Sequence, residues 1–297
     1  MTSLDELATE QANPNTSDID LQDTFGVLER INAEDQHVAR AVRAALPSLA
    51  RAVDLALERW RIGGRVVLFG AGTSGRLAML DAAELPPTFS VSPDRYLARL
   101  AGGPTAFLRA VEGAEDDRAG GAAAAADLRA EDVAFGIAAS GRTPWVLGAL
   151  EAAGAIGAAR IGLACVPKPE LGDYVDVCIA VDTGPEAIAG STRMKAGTAQ
   201  KLVLNAFSTA LMVRLGKVYG NLMVDVQATN TKLRRRATRL VSEVANIDAD
   251  RATAALDDAH GSVKIAIAAV RLGISAAEAA ERLAEADGQL RVVLGEA

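Results

Sequence analysis

Five short and mostly uninterrupted apolar runs, each separated from the next by a helix-sized segment, most constrain what this chain can fold into. They occupy residues 65–69, 96–101, 133–139, 160–166 and 175–181. A strand with one wet face alternates apolar and polar residues, whereas a strand covered on both faces reads as a continuous apolar run. This alternation of strand and helix predicts a doubly wound α/β domain with a five-stranded parallel sheet. Its ligand is expected beyond the carboxyl ends of the strands.

On either side of this block the chain reads as helical. From about 18 to 61 apolar positions recur at three- and four-residue spacing, through Val27, Leu28, Ile31, Val38 and Val42 to Leu57 and Trp60, until Gly63-Gly64 stops the pattern. After the fifth apolar run, residues 191–216 read as one long helix and a second begins near Leu222. Beyond Asn246 come short Ala- and charge-rich helices, one of them opened by the capping-box spacing Ser275-Ala-Ala-Glu278. The expected division is an N-terminal helical segment over 1–62, an α/β domain with trailing helices over 63–246 and a small helical appendix over 247–297.

Composition narrows the function. Aromatic residues supply only 4% of the chain, so the core must be built from Ala, Val, Leu and Ile with close helix–helix and helix–sheet contacts. The net charge of −7 argues against a broad nucleic-acid surface, and the basic cluster Lys232, Arg234, Arg235, Arg236 and Arg239 spreads around a helix rather than lining one stripe. No apolar run approaches the ~20 residues that span a bilayer. The polar, acidic start Met1-Thr-Ser-Leu-Asp-Glu-Leu7 is neither a secretory signal nor an Arg-rich transit peptide, so a soluble cytoplasmic protein is expected. Cys165 and Cys178 lie inside apolar runs and read as buried reduced thiols, and His37 and His260 belong to no ligand-spaced cluster. Neither metal nor cofactor is expected, and acid–base chemistry falls to carboxylates, Lys or Tyr.

Three loops have the composition of an anion receptor. Gly70-Ala-Gly-Thr-Ser-Gly75 follows the first strand, opens a helix and matches G-x-G-x-x-G. A dinucleotide reading fits poorly. The second strand ends in Arg99-Leu-Ala-Gly-Gly103 without the acidic residue that would meet a ribose, and Asp94 lies at its wrong end. Thr73 and Ser74 instead suit a compact phosphate monoester, whose oxygens accept hydrogen bonds from hydroxyls and from N–H groups at a helix start. Ala139-Ser-Gly-Arg-Thr-Pro144 offers Ser140 and Thr143 after the third strand, and Gly190-Ser-Thr-Arg-Met-Lys195 offers Ser191 and Thr192. Each loop by itself is as well explained by ordinary helix capping. Three in one α/β unit suggest convergence on a single anion.

These loops resemble those of SIS (sugar isomerase) phosphosugar-binding domains and, more narrowly, those of N-acetylmuramic acid 6-phosphate etherases. The resemblance extends over nearly the whole chain. It takes in Thr9-Glu-Gln11, Ile31-Asn-Ala-Glu-Asp35, Asp81-Ala-Ala-Glu-Leu-Pro-Pro87, Val111-Glu-Gly-Ala-Glu-Asp-Asp117 and Gly220-Asn-Leu-Met-Val-Asp225. Ala83 and Leu85 stand where relatives often have Ser and Cys, and Trp145 where Tyr is common. None of these departures removes an ionisable group.

The resemblance implies cleavage of the lactyl ether at C3 of N-acetylmuramic acid 6-phosphate, giving N-acetylglucosamine 6-phosphate and D-lactate by elimination and rehydration. It implies Glu84 as proton donor to the departing lactate and Glu115 as the base or water-activating partner. Arg76, Arg142, Arg193 and Lys195 are candidates for the phosphate or the lactyl carboxylate, with pairing to Asp81, Glu84 or Asp182 the structural alternative. Ser74 and Glu84 are ten residues apart, ~15 Å along one helix, which is too far for both to serve one substrate molecule. A homodimer with composite sites is therefore expected. Competing readings are a phosphosugar-sensing regulator, an aldose–ketose phosphosugar isomerase and, last, a dehydrogenase.

Overall fold

The computed structural model describes residues 8–226 and 231–296. The reading of residues 1–7 as no targeting segment lies outside the described residues, as does the Lys232 side chain of the basic cluster. Packing divides the chain into two units. The first holds the residues up to Ala83 together with Asp94–Ser208, and the second holds Glu84–Pro93 together with the residues from Thr209 on.

In the first unit, helices α1 (Thr24–Asp35), α2 (Val38–Ala44) and α3 (Leu46–Arg61) precede the sheet. Strands β1 (Val66–Gly70), β2 (Tyr96–Leu100), β3 (Val133–Ile137), β4 (Ala159–Ala164) and β5 (Val177–Ala180) pair in the order β2-β1-β3-β4-β5, all parallel. Every residue of β1 and β3 is buried, which is why those runs carry no polar alternation; Arg99 is tolerated because β2 is an edge. The observed strands end one or two residues short of several apolar runs, where the chain turns into the loops. Strand β1 has β2 on one side and β3 on the other, so the order reverses there. The loops after β1 and β3 flank this switch point, where α/β sheets bind ligands.

The opposite end of the sheet is pinned electrostatically. Asp132, fully buried ahead of β3, accepts hydrogen bonds from the Arg65 N–H at 2.7 Å and its Nε at 3.0 Å, and from the Arg129 N–H at 2.9 Å. With few aromatics, the core closes through small residues. Helices α5 (Arg118–Ala124) and α6 (Pro144–Ile156) touch backbone to backbone. A Cβ on Gly121 would lie 1.8 Å from the Trp145 carbonyl oxygen, and one on Gly148 2.1 Å from that of Arg118.

Helices α4 (Gly72–Phe89) and α7 (Lys195–Arg214) each contribute residues to both units. In the second unit the helix expected from near Leu222 starts only at Thr231. Residues Val218–Tyr219 (β6) and Leu222–Met223 (β7) instead pair antiparallel about Gly220, whose φ of +59° suits a tight turn. Helices α8 (Thr231–Ala245), α9 (Ala249–Asp258), α10 (Val263–Leu272), α11 (Ala276–Glu285) and α12 (Leu290–Val293) follow. The Ser275 hydroxyl accepts the Glu278 N–H at 3.2 Å, as the capping-box spacing requires. On α8, Arg234, Arg235 and Arg239 are exposed. Val224, Leu240 and Val241 share one apolar core with Ala252, Ile267 and Leu283. Asp225 reinforces that core by pairing with Lys217 at 2.7 Å and Lys264 at 3.1 Å.

Candidate functional site

The first loop is shaped by close backbone approach. A Cβ on Gly70 would stand 2.7 Å from the Gly75 nitrogen, and one on Gly75 2.5 Å from the Gly70 carbonyl oxygen. Both positions therefore require glycine, and β1 passes into α4 with almost no intervening chain. Thr73 and Ser74 fall in the first helical turn, where N–H groups lack intrahelical partners. Thr73 is half-buried and Ser74 buried. Arg76, one turn on, is committed elsewhere: its guanidinium donates to the carbonyls of Phe107 at 3.0 Å and Ala106 at 2.8 Å, holding the turn Pro104–Phe107 that follows β2.

That turn leads directly to Glu115. A cavity of about 170 Å³ is lined by Ala71 and Gly72 of the first loop, by Ala101 beyond β2 and by Val111–Glu115. The Glu115 carbonyl accepts the Trp145 N–H at 2.9 Å, in the first turn of α6. The exposed Glu115 carboxyl is thus carried on backbone tied to the second loop, beside a cavity walled by the first.

In the second loop Gly141 has a φ of +70° and packs against Pro169, where a Cβ would come within 2.3 Å of the proline Cβ. The Ser140 hydroxyl accepts the Arg142 N–H at 3.3 Å. Thr143 is the N-cap residue of α6, and its hydroxyl makes no capping bond. Arg142 is half-buried and its guanidinium has no partner among the described residues.

The third loop departs from expectation. Helix α7 starts at Lys195 rather than Ser191, because the buried Glu186 carboxylate accepts the N–H groups of Lys195 at 2.8 Å and Ala196 at 2.9 Å. Burial raises the Glu186 pKa, opposed by those two bonds and by Lys195. The helix start that follows the third loop is therefore occupied by the chain's own carboxylate. Lys195 is buried as well, and its ammonium is bonded to Glu34 rather than to Asp81, Glu84 or Asp182. Ser191 and Thr192 are half-buried and Arg193 is exposed. The first turn of α7 does reach the first loop: a Cβ on Gly197 would lie 3.4 Å from the Thr73 methyl carbon. Beneath it the Cys165 thiol donates to the Ala196 carbonyl at 3.4 Å, and burial pushes its pKa to about 12, so this cysteine is inert.

Glu84 is exposed on α4, among the residues that group with the second unit. Helix α4 runs through Pro86 and Pro87 to Phe89. A proline lacks an N–H yet keeps its carbonyl, and Pro86 accepts the Ser90 N–H at 3.0 Å. The buried polar residues Asn13, Glu34 and Glu186 were not legible as site elements. Glu34 lies in the Ile31–Asp35 motif, and an acid on an apolar-periodic helix was the one available signal.

A five-stranded parallel sheet with hydroxyl-bearing loops at its switch point defines a SIS-type α/β protein. Residues 48–154 match the family described as the glucokinase regulatory protein N-terminal SIS domain. The chain belongs to the N-acetylmuramic acid 6-phosphate etherase family. It is 51% identical over 294 residues to the N-acetylmuramic acid 6-phosphate etherase of Deinococcus radiodurans, covering 98% of this chain and 96% of that protein. It is 54% identical over 259 residues to that of Thermobifida fusca, covering 87% of this chain and 85% of the relative. The fold is shared with a phosphoheptose isomerase from Francisella tularensis at a TM-score of 0.50 and 20% identity, over 63% of this chain and 98% of that one.

Proposed function

We propose that this chain cleaves the D-lactyl ether of N-acetylmuramic acid 6-phosphate, acting as a carbon–oxygen lyase on the open-chain sugar. The observation that carries the reading is the placement of Glu115, tied by its backbone to the second loop and lining the cavity walled by the first. A carboxylate so placed lies next to a phosphosugar rather than along a neutral surface.

The hydroxyls of Thr73, Ser74, Ser140, Thr143, Ser191 and Thr192 hold the phosphate, with the unpaired Arg142 guanidinium supplying charge. Lys195, being buried against Glu34, serves the site by position and not by contact. Ring opening makes the C2 proton α to an aldehyde. Loss of that proton and cleavage of the C3–O bond give an unsaturated aldehyde, while Glu84 protonates the departing lactate oxygen. Glu115 acts opposite it, as the base or in activating the water that returns hydroxyl to C3 and a proton to C2.

The protein acts as a homodimer with composite sites. In the single chain both glutamates are exposed, and Leu80, Phe107 and Leu108 present apolar surface from α4 and from the turn that Arg76 holds. Among the described residues no helix is long and apolar enough to cross a membrane, and we assign the activity to the cytoplasm, where a charged sugar phosphate is retained.

Incubation with N-acetylmuramic acid 6-phosphate in deuterated water tests the reading. D-lactate must appear and C2 of the amino-sugar product must carry deuterium. Lactate without deuterium means direct displacement, a ketose product means an isomerase, and saturable binding without turnover means a sensor.

A further inference from the structure

The segment ahead of α1 consists of short turns, Ala8–Glu10 and Pro14–Thr16, yet Thr9, Asn13 and Thr16 are all buried. Each grips the stretch that leads into the third loop. The Thr9 carbonyl accepts the Gly190 N–H at 3.0 Å, the Asn13 side-chain amide donates to the Pro185 carbonyl at 3.2 Å, and the Thr16 hydroxyl donates to the Ala187 carbonyl at 2.9 Å. Gly190 itself has a φ of +73°, and a Cβ there would stand 3.1 Å from a Glu10 carboxylate oxygen.

Behind this strap, Glu34 of α1 accepts hydrogen bonds from Asn13 at 2.8 Å, from Asn15 at 2.9 Å and from the Lys195 ammonium. Burial works to raise the Glu34 pKa, but those three donors outweigh it and hold the carboxyl below its ordinary value. The Glu34 and Lys195 side chains are only 6% and 4% exposed. Taking both charges out of water costs much of what their attraction returns, so such a pair is a weak source of stability. What it does fix is geometry: Lys195 starts α7, and Ser191 and Thr192 lie between it and the gripped Gly190.

We propose that residues 9–16 and Glu34 form a strap that sets the third loop for phosphate, making Asn13, Thr16 and Glu34 positioning residues for substrate binding that touch no substrate. This rests on the reading of Ser191 and Thr192 as phosphate ligands. The strap acts on affinity and leaves the acid–base pair alone.

The test uses the full chain, lactate release for turnover and inorganic phosphate as the probe of the loops. Glu34→Gln keeps the size of the side chain and removes its charge. It should raise KM and the phosphate dissociation constant together by about ten-fold while kcat stays within about two-fold, the pattern of lost uniform binding. Thr16→Val should raise both several-fold, and Thr16→Ser, which restores the hydroxyl, should return them to wild-type values. A lowered Tm with KM and phosphate affinity unchanged in the folded variants would overturn the proposal. Should Glu34→Gln fail to fold, the Thr16 pair decides. Phosphate affinity is read by calorimetry without turnover, so wild-type phosphate binding with no lactate release would refute the etherase reading while the strap was still being measured.

Discussion

Asp132 and Ser74 stand at opposite ends of one sheet, and their surroundings assign them opposite duties. Burial works to raise the Asp132 pKa, but the Arg65 side chain and backbone, then the Arg129 backbone and side chain, outweigh it and hold the carboxyl at about 2. A folded-state pKa below the ordinary 3.8 means that the unfolded chain takes up the proton first as pH falls. The stabilisation is fully present above the unfolded value and is lost as pH drops through about 2. It amounts to about 2 kcal/mol. Asp132→Ala should cost roughly 3–5 kcal/mol in urea unfolding at pH 7, because Arg65 is left without its buried partner. Repeated near pH 2, the difference from wild type should shrink by about 2 kcal/mol; a pH-independent difference would contradict the electrostatic account. That Thr73, Ser74, Ser140 and Thr143 lie where strands turn into helices was legible, because a hydroxyl before an apolar-periodic run is a local signal. The engagement of Lys195 by Glu34 was not, since an ion pair between residues so distant in sequence leaves no spacing to read.

Close backbone contact between elements lets a core with few aromatics close at all. Helices α5 and α6 meet at Gly121 and Gly148, where an added methyl would strike a main-chain carbonyl that cannot rotate away. Gly121→Ala should therefore cost about 3 kcal/mol, at the upper end for overpacking. Gly154→Ala on the same α6 gives the contrast. Its nearest obstacle at 2.6 Å is the flexible end of Arg160, and alanine is the better helix former by about 1 kcal/mol, so its Tm should stay within a few degrees of wild type. Equal losses in thermal unfolding would show that backbone contact is not what distinguishes the two sites. The same distinction explains which elements could be read in advance. Strands β1 and β3 announce themselves because burial on both faces removes every polar residue, and α11 because Ser275 and Glu278 cap it locally. The start of α7 could not be placed, because its cap is Glu186, nine residues back across an irregular stretch. The β6–β7 hairpin has two residues per strand, too few for any period to show.

In the whole molecule, the loop chemistry and Glu115 belong to one unit of a single chain, whereas Glu84 sits ten residues along α4 from Ser74. If each site combines one chain's loops with the other's Glu84, defects in the two groups should complement each other. Mixing equal amounts of Glu84→Gln and Ser74→Ala chains, after dissociation and reassembly, gives half mixed dimers. Each mixed dimer has one intact site and one doubly damaged site, so lactate release should recover to about a quarter of the wild-type rate. Glu115 supplies the internal control, because it lines the cavity of the same chain's first loop. Glu115→Gln mixed with Ser74→Ala puts one defect in each site of every mixed dimer, and no recovery is expected. Recovery in both mixtures would place Glu115 in the neighbouring chain's site as well. Recovery in neither would return Glu84 to its own chain's chemistry, and α4 would then have to bring both its ends to one substrate across ~15 Å.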